Sequence, residues 1–429
     1  MKTYLRVLEV IESSGVRAWL VGDPVRNVVM GVAPSTLTVA VAPCDLSVLA
    51  RSIGGDAAVR NDAFPVLSAT ISGNRTDIAC VVGGGIEADL ARRDFTMNAI
   101  AIRSDDSFVD PFNGRHDIRN GLIRITGDDI ELVESDPIRI VRMLRFAAEL
   151  NMNIYWKSET DVRVFISQNA DRIRNTPPER WGREILKGMR RRPYDFVYLC
   201  DRYHLLPYFL EELEHLKEIG IEGRGTLFDH TLDTARVAQE FLAGRKRREN
   251  DMAFSVAALF HHVGSVGSQS VDTATAAEIA LKHLREWNIG SEIGDLVSSV
   301  IKNYRLCFQV KAEEELCAAV LKYGFEAVDM IFDMAVCNSK ADNMKNMDVL
   351  MANKWRLSEV VRRFDEVRRR MEGSTRYLTG DEVMKTLDIK PGRVVGEILS
   401  ELDMAVGTGL VNSKKEASEW LLKRGADGK

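Results

Sequence analysis

The chain has 429 residues and a formal net charge of −5, with 45% hydrophobic and 28% charged residues. This composition is typical of a soluble globular protein, and the length predicts two to four domains. The negative balance argues against a protein coated with positive charge, but local basic surfaces can still bind nucleic acid. The sequence contains no apolar run of the roughly 18 residues that a membrane span needs, so no membrane contact is expected. The six cysteines lack CxxC spacing, which predicts reduced thiols and a cytoplasmic protein.

Residues 1–125 are predicted to form a small head domain around a mixed β-sheet. The chain opens with an amphipathic helix, and short apolar runs separated by glycine and proline follow it. The pattern predicts strands at 18–22, 38–42, 64–72, 76–82 and 99–103. It also predicts helices at 24–30 and 86–98.

Helical periodicity dominates the sequence after Gly127. Within 136–150, for example, isoleucine, valine, leucine and phenylalanine recur at spacings that give one apolar stripe, with arginines between them. We predict a helical neck over 126–205, a helical body over 206–345 and a helical tail over 346–429. The predicted fold class is therefore α+β, with a small mixed-sheet head followed by a mostly α-helical remainder.

Four sequence segments carry a resemblance to a known family. They are Ala91–Ala101 (ARRDFTMNAIA), Asp110–Arg124, Ser135–Ala148 (SDPIRIVRMLRFAA) and Glu179–Met189. In this order and spacing they resemble the motifs of bacterial-type tRNA nucleotidyltransferases and the related poly(A) polymerases. The resemblance implies a head that transfers a nucleotide to an RNA 3′ end, a neck that reads the incoming base, and a body and tail that hold tRNA. The implied partners are a nucleotide and RNA, either tRNA or another RNA 3′ end.

In that family the head pattern runs Leu-Val-Gly-Gly, x-Val-Arg-Asp, a short apolar helix, Leu-Gly and then Asp-x-Asp. The segment from Leu20 to Thr38 aligns with this pattern without a gap. Thr36 and Thr38 stand at the two aspartate positions. Asp23 replaces the second glycine, and Asn27 replaces the aspartate after the arginine.

These replacements act against metal-assisted transfer of a nucleotide. The reaction needs two metal ions held by carboxylates, and a neutral threonine hydroxyl is a poor ligand for Mg²⁺. Asp77, on the predicted strand 76–82, is the carboxylate that remains as a candidate catalytic residue. Asp23 is expected to repel a triphosphate. Mg²⁺ and ATP or CTP are implied as cofactor and substrates only if the head is active.

The residues that the resemblance implies for nucleotide binding are largely present. Asp94 is suited to accept a hydrogen bond from a ribose 2′-hydroxyl, and Asp136 with Arg139 would read a base edge. Ser135 replaces the glutamate expected before Asp136, and Asp136 also fits a helix N-cap before Pro137. The complete implied set is Gly22, Arg26, Arg92, Asp94, Asn98, Asp136, Arg139, Arg142 and Arg145.

A second cluster resembles the HD-type domain that some family members carry. Its implied metal ligands are His230, His261, His262 and Asp342, with His262 where the HD pair has an aspartate. Imidazoles can bind a transition metal. The residue types alone nevertheless favour a structural domain with hydrogen-bonded histidines.

Three functions remain open from the sequence. The first is a catalytically impaired protein that binds RNA or a nucleotide, including one that pairs with an active relative as its partner subunit. The second is an active template-independent transferase that adds CCA, CC, A or poly(A). The third is a metal-dependent phosphohydrolase of the HD type.

Overall fold

The computed structural model describes residues 2–60, 65–127, 129–223, 225–246, 249–265, 272–344, 346–370 and 376–427. The chain divides into two compact units, Met1–Gly188 and Met189–Lys429. The first unit contains the predicted head and much of the predicted neck. The finer division into head, neck, body and tail stays a prediction.

A seven-stranded mixed sheet forms the centre of the first unit. Its strands are β1 (Ala18–Val21), β2 (Leu37–Val41), β3 (Ala58–Arg60), β4 (Val66–Ile71), β5 (Asn74–Cys80), β6 (Ala101–Ile102) and β7 (Phe108–Val109). The order across the sheet is β3-β4-β5-β2-β1-β6-β7. Strands β2 and β5 are parallel, whereas the other neighbours are antiparallel. A separate parallel pair consists of β8 (Leu122–Ile123) and β9 (Asn153–Ile154).

Ten helices accompany these strands in the described part of the chain up to Met189. They are α1 (Thr3–Glu12), α2 (Asp23–Val29), α3 (Leu46–Ile53), α4 (Ile86–Ala91), α5 (Gly114–Arg119), α6 (Asp129–Ser135), α7 (Ile138–Leu150), α8 (Trp156–Gln168), α9 (Ala170–Arg174) and α10 (Pro178–Met189). The apolar stripe of α1, which includes Val7, Leu8 and Ile11, is fully buried. It belongs to the core formed with the inner residues of β1, β2, β4 and β5.

The predicted helix over 86–98 is wrong in its second half, because α4 ends at Ala91. Phe95 has an extended backbone, and a short 3₁₀-helix follows at Thr96–Asn98. The carboxylate of Asp94 accepts hydrogen bonds from the Phe95 N–H and from Nδ2 of Asn98, both at 2.9 Å. Such local bonds from a side chain compete with the helical hydrogen-bond pattern.

Helix α7 confirms the predicted stripe over 136–150. Its buried residues include Ile138, Val141 and Leu144, and it ends where Asn151 adopts the left-handed conformation typical of a helix C-terminus. Phe146 packs edge-to-face against Phe95, with 5.7 Å between the ring centroids. This contact joins α7 to the head.

The second unit is almost entirely helical, as predicted. Its helices up to residue 260 are α11 (Pro193–Arg202), α12 (Leu206–Phe209), α13 (Glu211–His215), α14 (Leu227–Ala243) and α15 (Asp251–Phe260). The later ones are α16 (Thr273–Glu286), α17 (Ser291–Asn303), α18 (Leu306–Gln309), α19 (Glu313–Tyr323), α20 (Phe325–Ala341), α21 (Met347–Arg370), α22 (Gly380–Leu387), α23 (Arg393–Gly407) and α24 (Lys414–Asp427). Two short antiparallel strands, β10 (Gly220–Ile221) and β11 (Gly225–Thr226), precede α14.

The α+β class predicted from the sequence is thus confirmed. In the described residues, no helix combines the length and the apolar character needed to cross a membrane.

Candidate functional site

Most of the residues predicted to bind a nucleotide surround one cavity of about 410 Å³ in the first unit. We call it the arginine cavity. Side chains from the start of α2, from β2, from the loop after α4 and from the start of α7 form its walls. Its lining residues are Gly22, Asp23, Thr38, Arg92, Arg93, Asp94, Asn98, Asp136, Ile138, Arg139 and Arg142.

Thr38, one of the two threonines that stand where the resemblance implies aspartates, lines the sheet side of the cavity. Thr38 is the second residue of β2 and lies opposite Asp77 of the parallel strand β5. Thr36 lies two residues earlier, and alternate residues of a strand share a face. Both threonines are half-buried. Asp77 is held by the hydroxyl of Ser68 on β4, which donates to its Oδ1 at 2.7 Å. The β2 edge of the cavity therefore presents hydroxyl groups rather than carboxylates.

A chain of charged and polar contacts runs from α2 to α7. Nη1 of Arg26 donates to Oδ1 of Asp23 at 2.8 Å and to Oδ1 of Asn98 at 2.7 Å. Nδ2 of Asn98 then donates to Asp94. Oδ2 of Asp94 lies 2.7 Å from Nη2 of Arg142, which completes an ion pair. Asp23 is thus compensated by a buried cation, which weakens the repulsion toward phosphate that we expected from the sequence.

Arg26 and Arg145, two of the predicted binding residues, do not line the cavity. Both guanidinium groups instead contact the ring of Phe146, at 4.8 Å and 3.9 Å from its centroid. Arg145 is buried, and its guanidinium pairs with Glu184 at 2.7 Å and with Glu149 at 2.6 Å. Burial raises the pKa of Glu149. Burial also opposes the ionisation of Glu184, but the surrounding cations, led by Arg145, outweigh it and lower the pKa of that carboxyl.

Two other arginines, Arg139 and Arg92, can offer hydrogen-bond donors to a ligand in the cavity. Nη2 of Arg139 donates to the carbonyl oxygen of Arg92 at 3.3 Å, whereas its buried Nη1 has no hydrogen-bond partner in the described part of the chain. Burial lowers the pKa of Arg139, although Asp94 and Asp136 counteract this. The side chain of Arg92 is exposed. These guanidinium groups can donate to acceptor atoms of a ligand.

Asp136 caps the start of α7 and also lines the cavity. Its Oδ1 accepts from the Ile138 N–H at 3.4 Å, as predicted for an N-cap, and its Oδ2 accepts from Nη2 of Arg180 at 2.8 Å. Sequence reasoning assigned no role to Arg180. The signal was available, because this residue lies in the segment 179–189, which carries the family resemblance.

Gly22 is required by both conformation and space. Its φ is +72°, a region that disfavours residues with a Cβ, and an added Cβ would lie 3.2 Å from Nη1 of Arg93. Arg93 is itself held by an ion pair with Asp89 at 2.9 Å. The glycine therefore keeps the turn between β1 and α2 narrow at the cavity wall.

Three of the predicted metal ligands come together in the second unit. The possible ligand atoms of His230, His261 and His262 all lie within 4.8 Å of one another. Oδ1 of Asn338 on α20 lies 3.1 Å from Nε2 of both His230 and His261. Asp342 lies farther out, with Oδ1 at 3.5 Å from Nδ1 of His230. His230, His262, Asn338 and Asp342 line a cavity of about 360 Å³, which we call the histidine cavity.

Burial opposes the protonation of two of the clustered imidazoles. It lowers the pKa of His261 to about 3, and it lowers the pKa of His262 well below its usual value. Among the described residues, no hydrogen bond of ordinary geometry reaches a ring nitrogen of His262, although Asn338 lies close enough to favour its protonated form. The sequence did not single out Asn338, although it lies four residues before Asp342, on the same helical face.

The chain resembles proteins of known family over nearly its whole length. Residues 56–124 match the poly A polymerase head domain. The chain is 26% identical over 432 residues to the CC-adding tRNA nucleotidyltransferase of Geobacter sulfurreducens, covering 96% of this chain and 92% of that protein. It is 33% identical over 199 residues to the multifunctional CCA protein of Laribacter hongkongensis, a match that spans 46% of this chain and 45% of that protein.

The fold is also found among solved structures. The crystal structure of the Bacillus stearothermophilus CCA-adding enzyme in complex with CTP has a TM-score of 0.64 to this chain. The identity is 20%, and the match covers 99% of this chain and 97% of that one. The likeness at this identity is one of fold.

Proposed function

The chain belongs to the tRNA nucleotidyltransferase and poly(A) polymerase family, and from this premise we propose that it binds a nucleotide and an RNA 3′ end in the arginine cavity while catalysing little or no transfer. The observation that carries the proposal is the pair of hydroxyl side chains, Thr36 and Thr38, where the family motif has two aspartates. Relatives of this chain include a tRNA nucleotidyltransferase and a CCA-adding enzyme bound to CTP.

The absence of catalysis follows from charge. The transfer of a nucleotide moves negative charge onto phosphoryl oxygens, and two divalent ions held by carboxylates normally stabilise it. A threonine hydroxyl carries no charge to compensate for the desolvation of Mg²⁺. Asp77 remains opposite Thr38 on the neighbouring strand, but its carboxylate already accepts a hydrogen bond from Ser68.

Binding of a nucleotide follows from the groups that remain. Arg92 and Arg139 present guanidinium donors to the cavity, and these match the acceptors of phosphate or of a base edge. Asp94 and Asp136 add acceptors, which suit a ribose hydroxyl and the amino group of a base. Because Asp23 is paired with Arg26, the net field in the cavity favours an anionic ligand.

Two assays on the pure full-length chain test the proposal. We expect ATP or CTP to bind with an affinity that hardly changes when EDTA replaces Mg²⁺, because no pair of carboxylates holds the ion. We also expect no extension of a tRNA that lacks its terminal CCA above a reaction without protein. Robust extension that disappears in Asp77→Ala would establish an active transferase instead. Failure to bind any nucleotide or RNA would remove the binding function.

One substitution tests whether the nucleotide lies in the arginine cavity. Arg139→Ala is expected to lower the affinity for ATP or CTP about 10-fold or more, because hydrogen bonds to charged groups contribute about 1.5–3 kcal/mol. Arg119→Ala is the matched control, since Arg119 is an exposed arginine of the same unit that does not line the cavity. Equal affinities of the two variants would place the nucleotide elsewhere.

A second form of this proposal is a complex of two subunits. In it, an active relative transfers the nucleotide while this chain holds the RNA. Retention of Arg92, Asp94 and Arg139 beside the replaced aspartates supports it. Co-purification of the tagged chain from its own cells tests this version. Recovery of the chain alone in every preparation would count against it.

A further inference from the structure

The charges around the arginine cavity leave a small positive surplus. Each carboxylate that lines the cavity is held in an ion pair with an arginine. These pairs are Asp23 with Arg26 at 2.8 Å, Asp94 with Arg142 at 2.7 Å and Asp136 with Arg180 at 2.8 Å. Arg93 is also paired, with Asp89 at 2.9 Å. Among the described residues, Arg92 and Arg139 are the lining arginines outside any ion pair, and their two guanidinium groups form the surplus.

The two surplus groups belong to residues that contact each other. Arg92 directly follows α4, Arg139 lies in the first turn of α7, and Nη2 of Arg139 donates to the carbonyl oxygen of Arg92 at 3.3 Å. The buried Nη1 of Arg139 has no hydrogen-bond partner in the described part of the chain. Buried donors in folded proteins normally have partners, so this one is available to an acceptor atom of a ligand.

The sheet side of the cavity has a different character. The described residues that line it, Gly22, Asp23 and Thr38, offer no cation. Asp77 stands opposite Thr38 on the neighbouring strand and adds a carboxylate to that side of the sheet. Carboxylates repel phosphate oxygens, and the hydroxyl groups of Thr36 and Thr38 are poor ligands for the divalent ions that would offset this repulsion.

One phosphate group matches this distribution of charge better than three. A phosphate monoester carries about 1.5–2 negative charges at neutral pH, which the two surplus guanidinium groups can neutralise. At most these two groups are available to phosphate, since Arg139 can serve a base edge instead. The β- and γ-phosphates of a triphosphate are normally neutralised by metal ions. In this cavity they lack such ions, so they stay in solvent and contribute little affinity.

Resting on the nucleotide binding proposed above, we infer that the arginine cavity recognises a nucleoside that carries one phosphate and does not recognise the outer phosphates of a triphosphate. Two sources offer that chemistry. One is a free nucleoside monophosphate such as AMP or CMP. The other is the terminal nucleotide of an RNA, whose phosphodiester occupies the position of the single phosphate.

Calorimetric titration of the full-length chain in EDTA tests the inference with four ligands: AMP, ATP, CMP and CTP. We expect the Kd values of AMP and ATP to agree within about 3-fold, and likewise those of CMP and CTP, because the outer phosphates add little binding free energy. A larger preference for the triphosphates would overturn the inference but leave the proposed nucleotide binding intact. Failure of every nucleotide and of RNA to bind would remove the proposed function itself.

Competition distinguishes the two sources of the ligand. If the terminal nucleotide of an RNA enters the cavity, AMP should displace a short labelled RNA that ends in CCA, at concentrations near its own Kd. If AMP binds without displacing the RNA, the free monophosphate is the ligand of the cavity. Binding of the RNA in the absence of any binding or competition by the free nucleotides would overturn the inference.

A first variant tests the cationic wall. Arg92→Ala should weaken the binding of AMP and of ATP to the same degree, by about 10-fold or more, because both ligands use one phosphate there. Arg119→Ala is the matched control, as an exposed arginine that does not line the cavity. A loss of affinity that is much larger for ATP than for AMP would show that the outer phosphates contact this wall, which would overturn the inference.

A second variant supplies the missing carboxylates. Thr36→Asp with Thr38→Asp should create a preference for ATP over AMP of at least about 10-fold that depends on Mg²⁺, because the ion would then be held against the outer phosphates. The double change of both threonines to asparagine is the control and should show no such preference. An aspartate variant that still binds AMP and ATP equally in Mg²⁺ would overturn the charge argument on which the inference rests.

Discussion

The arginine cavity and the histidine cavity satisfy their polar groups in opposite ways. In the first, ionised side chains compensate one another in a continuous network from Arg26 to Arg142. In the second, burial opposes the protonation of His261 and His262 and lowers the pKa of both. The difference teaches that charged groups can be accommodated in a cavity by pairing with one another, whereas buried imidazoles are accommodated by losing their charge.

The buried ion pairs of Arg145 in the first unit should be the most sensitive to loss of one member. Glu184→Ala removes a carboxylate that pairs with the buried guanidinium of Arg145. We expect the free energy of unfolding to fall by about 3 kcal/mol, because a buried charge that loses a partner is destabilising, and Glu149 compensates in part. Urea denaturation measures the loss. Glu159→Ala, which breaks a half-buried pair between neighbouring turns of α8 with Arg163, should cost less than about 0.5 kcal/mol. Equal losses of stability in the two variants would mean that the ion pair of Arg145 with Glu184 stabilises the fold no more than the pair of Arg163 with Glu159.

Restoring the carboxylates should convert the arginine cavity toward catalysis. Thr36→Asp with Thr38→Asp would place two acidic side chains on one face at the start of β2. We expect extension of a truncated tRNA with CTP or ATP and Mg²⁺ to rise at least about 100-fold, which corresponds to about 2.7 kcal/mol in the barrier.

The control for this experiment replaces both threonines with asparagine, which has the shape of aspartate without its charge. It should stay at the background rate. An unchanged chain that already extends tRNA as fast as the aspartate variant would refute the proposed loss of activity.

The neutral histidines should make the second unit sensitive to acid. The folded pKa of His261 is about 3, below the unfolded value of about 6.5. Between these values the unfolded chain takes up a proton that the folded chain does not. The free energy of unfolding of EDTA-treated protein should therefore fall with pH below 6.5, by about 1.4 kcal/mol per pH unit for this residue.

Other groups titrate in the same range, so His261→Gln provides the reference. We expect its stability to depend less steeply on pH than that of the unchanged chain when both are denatured with urea between about pH 7 and pH 5. Parallel curves would show that His261 is not held neutral.

The smallest expected effect concerns the wall of the arginine cavity. Gly22→Ala should reduce stability by about 1 kcal/mol, because φ is +72° at this position. Gly31→Ala has a similar φ of +76° but open space around the added Cβ, so it should cost a similar amount. Only Gly22→Ala should also weaken nucleotide binding, since its Cβ would displace Arg93. Equal nucleotide affinities in the two variants would show that Gly22 does not contribute to the binding site.

Much of the fold could be predicted, because it is encoded in local patterns. The strands β1, β2 and β5 follow short apolar runs between turns that contain glycine or proline, and α7 follows its apolar stripe. The order of the strands could not be predicted, because pairing of β2 with β5 joins segments almost 40 residues apart. The helix predicted over 86–98 failed for a local reason, since Asp94 hydrogen-bonds the backbone that the helix would need.

For the sites, the family resemblance predicted residue types better than it predicted their surroundings. Asp94, Asp136 and Arg139 do line one cavity. Arg145 does not, because its partner Glu184 lies 39 residues away and nothing in its own segment reveals that pair. The position of Asn338 between two histidines likewise depends on the packing of distant helices.

The guanidinium groups of Arg26 and Arg145 both contact the ring of Phe146. The amide of Asn98 also accepts a hydrogen bond from Arg26, and the carboxylate of Glu184 pairs with Arg145. Arg26 in turn holds Asp23 and Asn98, so this part of the lining is already fixed before any ligand enters the arginine cavity. A ligand that enters it loses little affinity to the entropy of ordering side chains. The rate of ligand association should therefore be limited by diffusional encounter. Hydrogen exchange of the backbone amides in the middle of α7 should be nearly the same with and without the ligand.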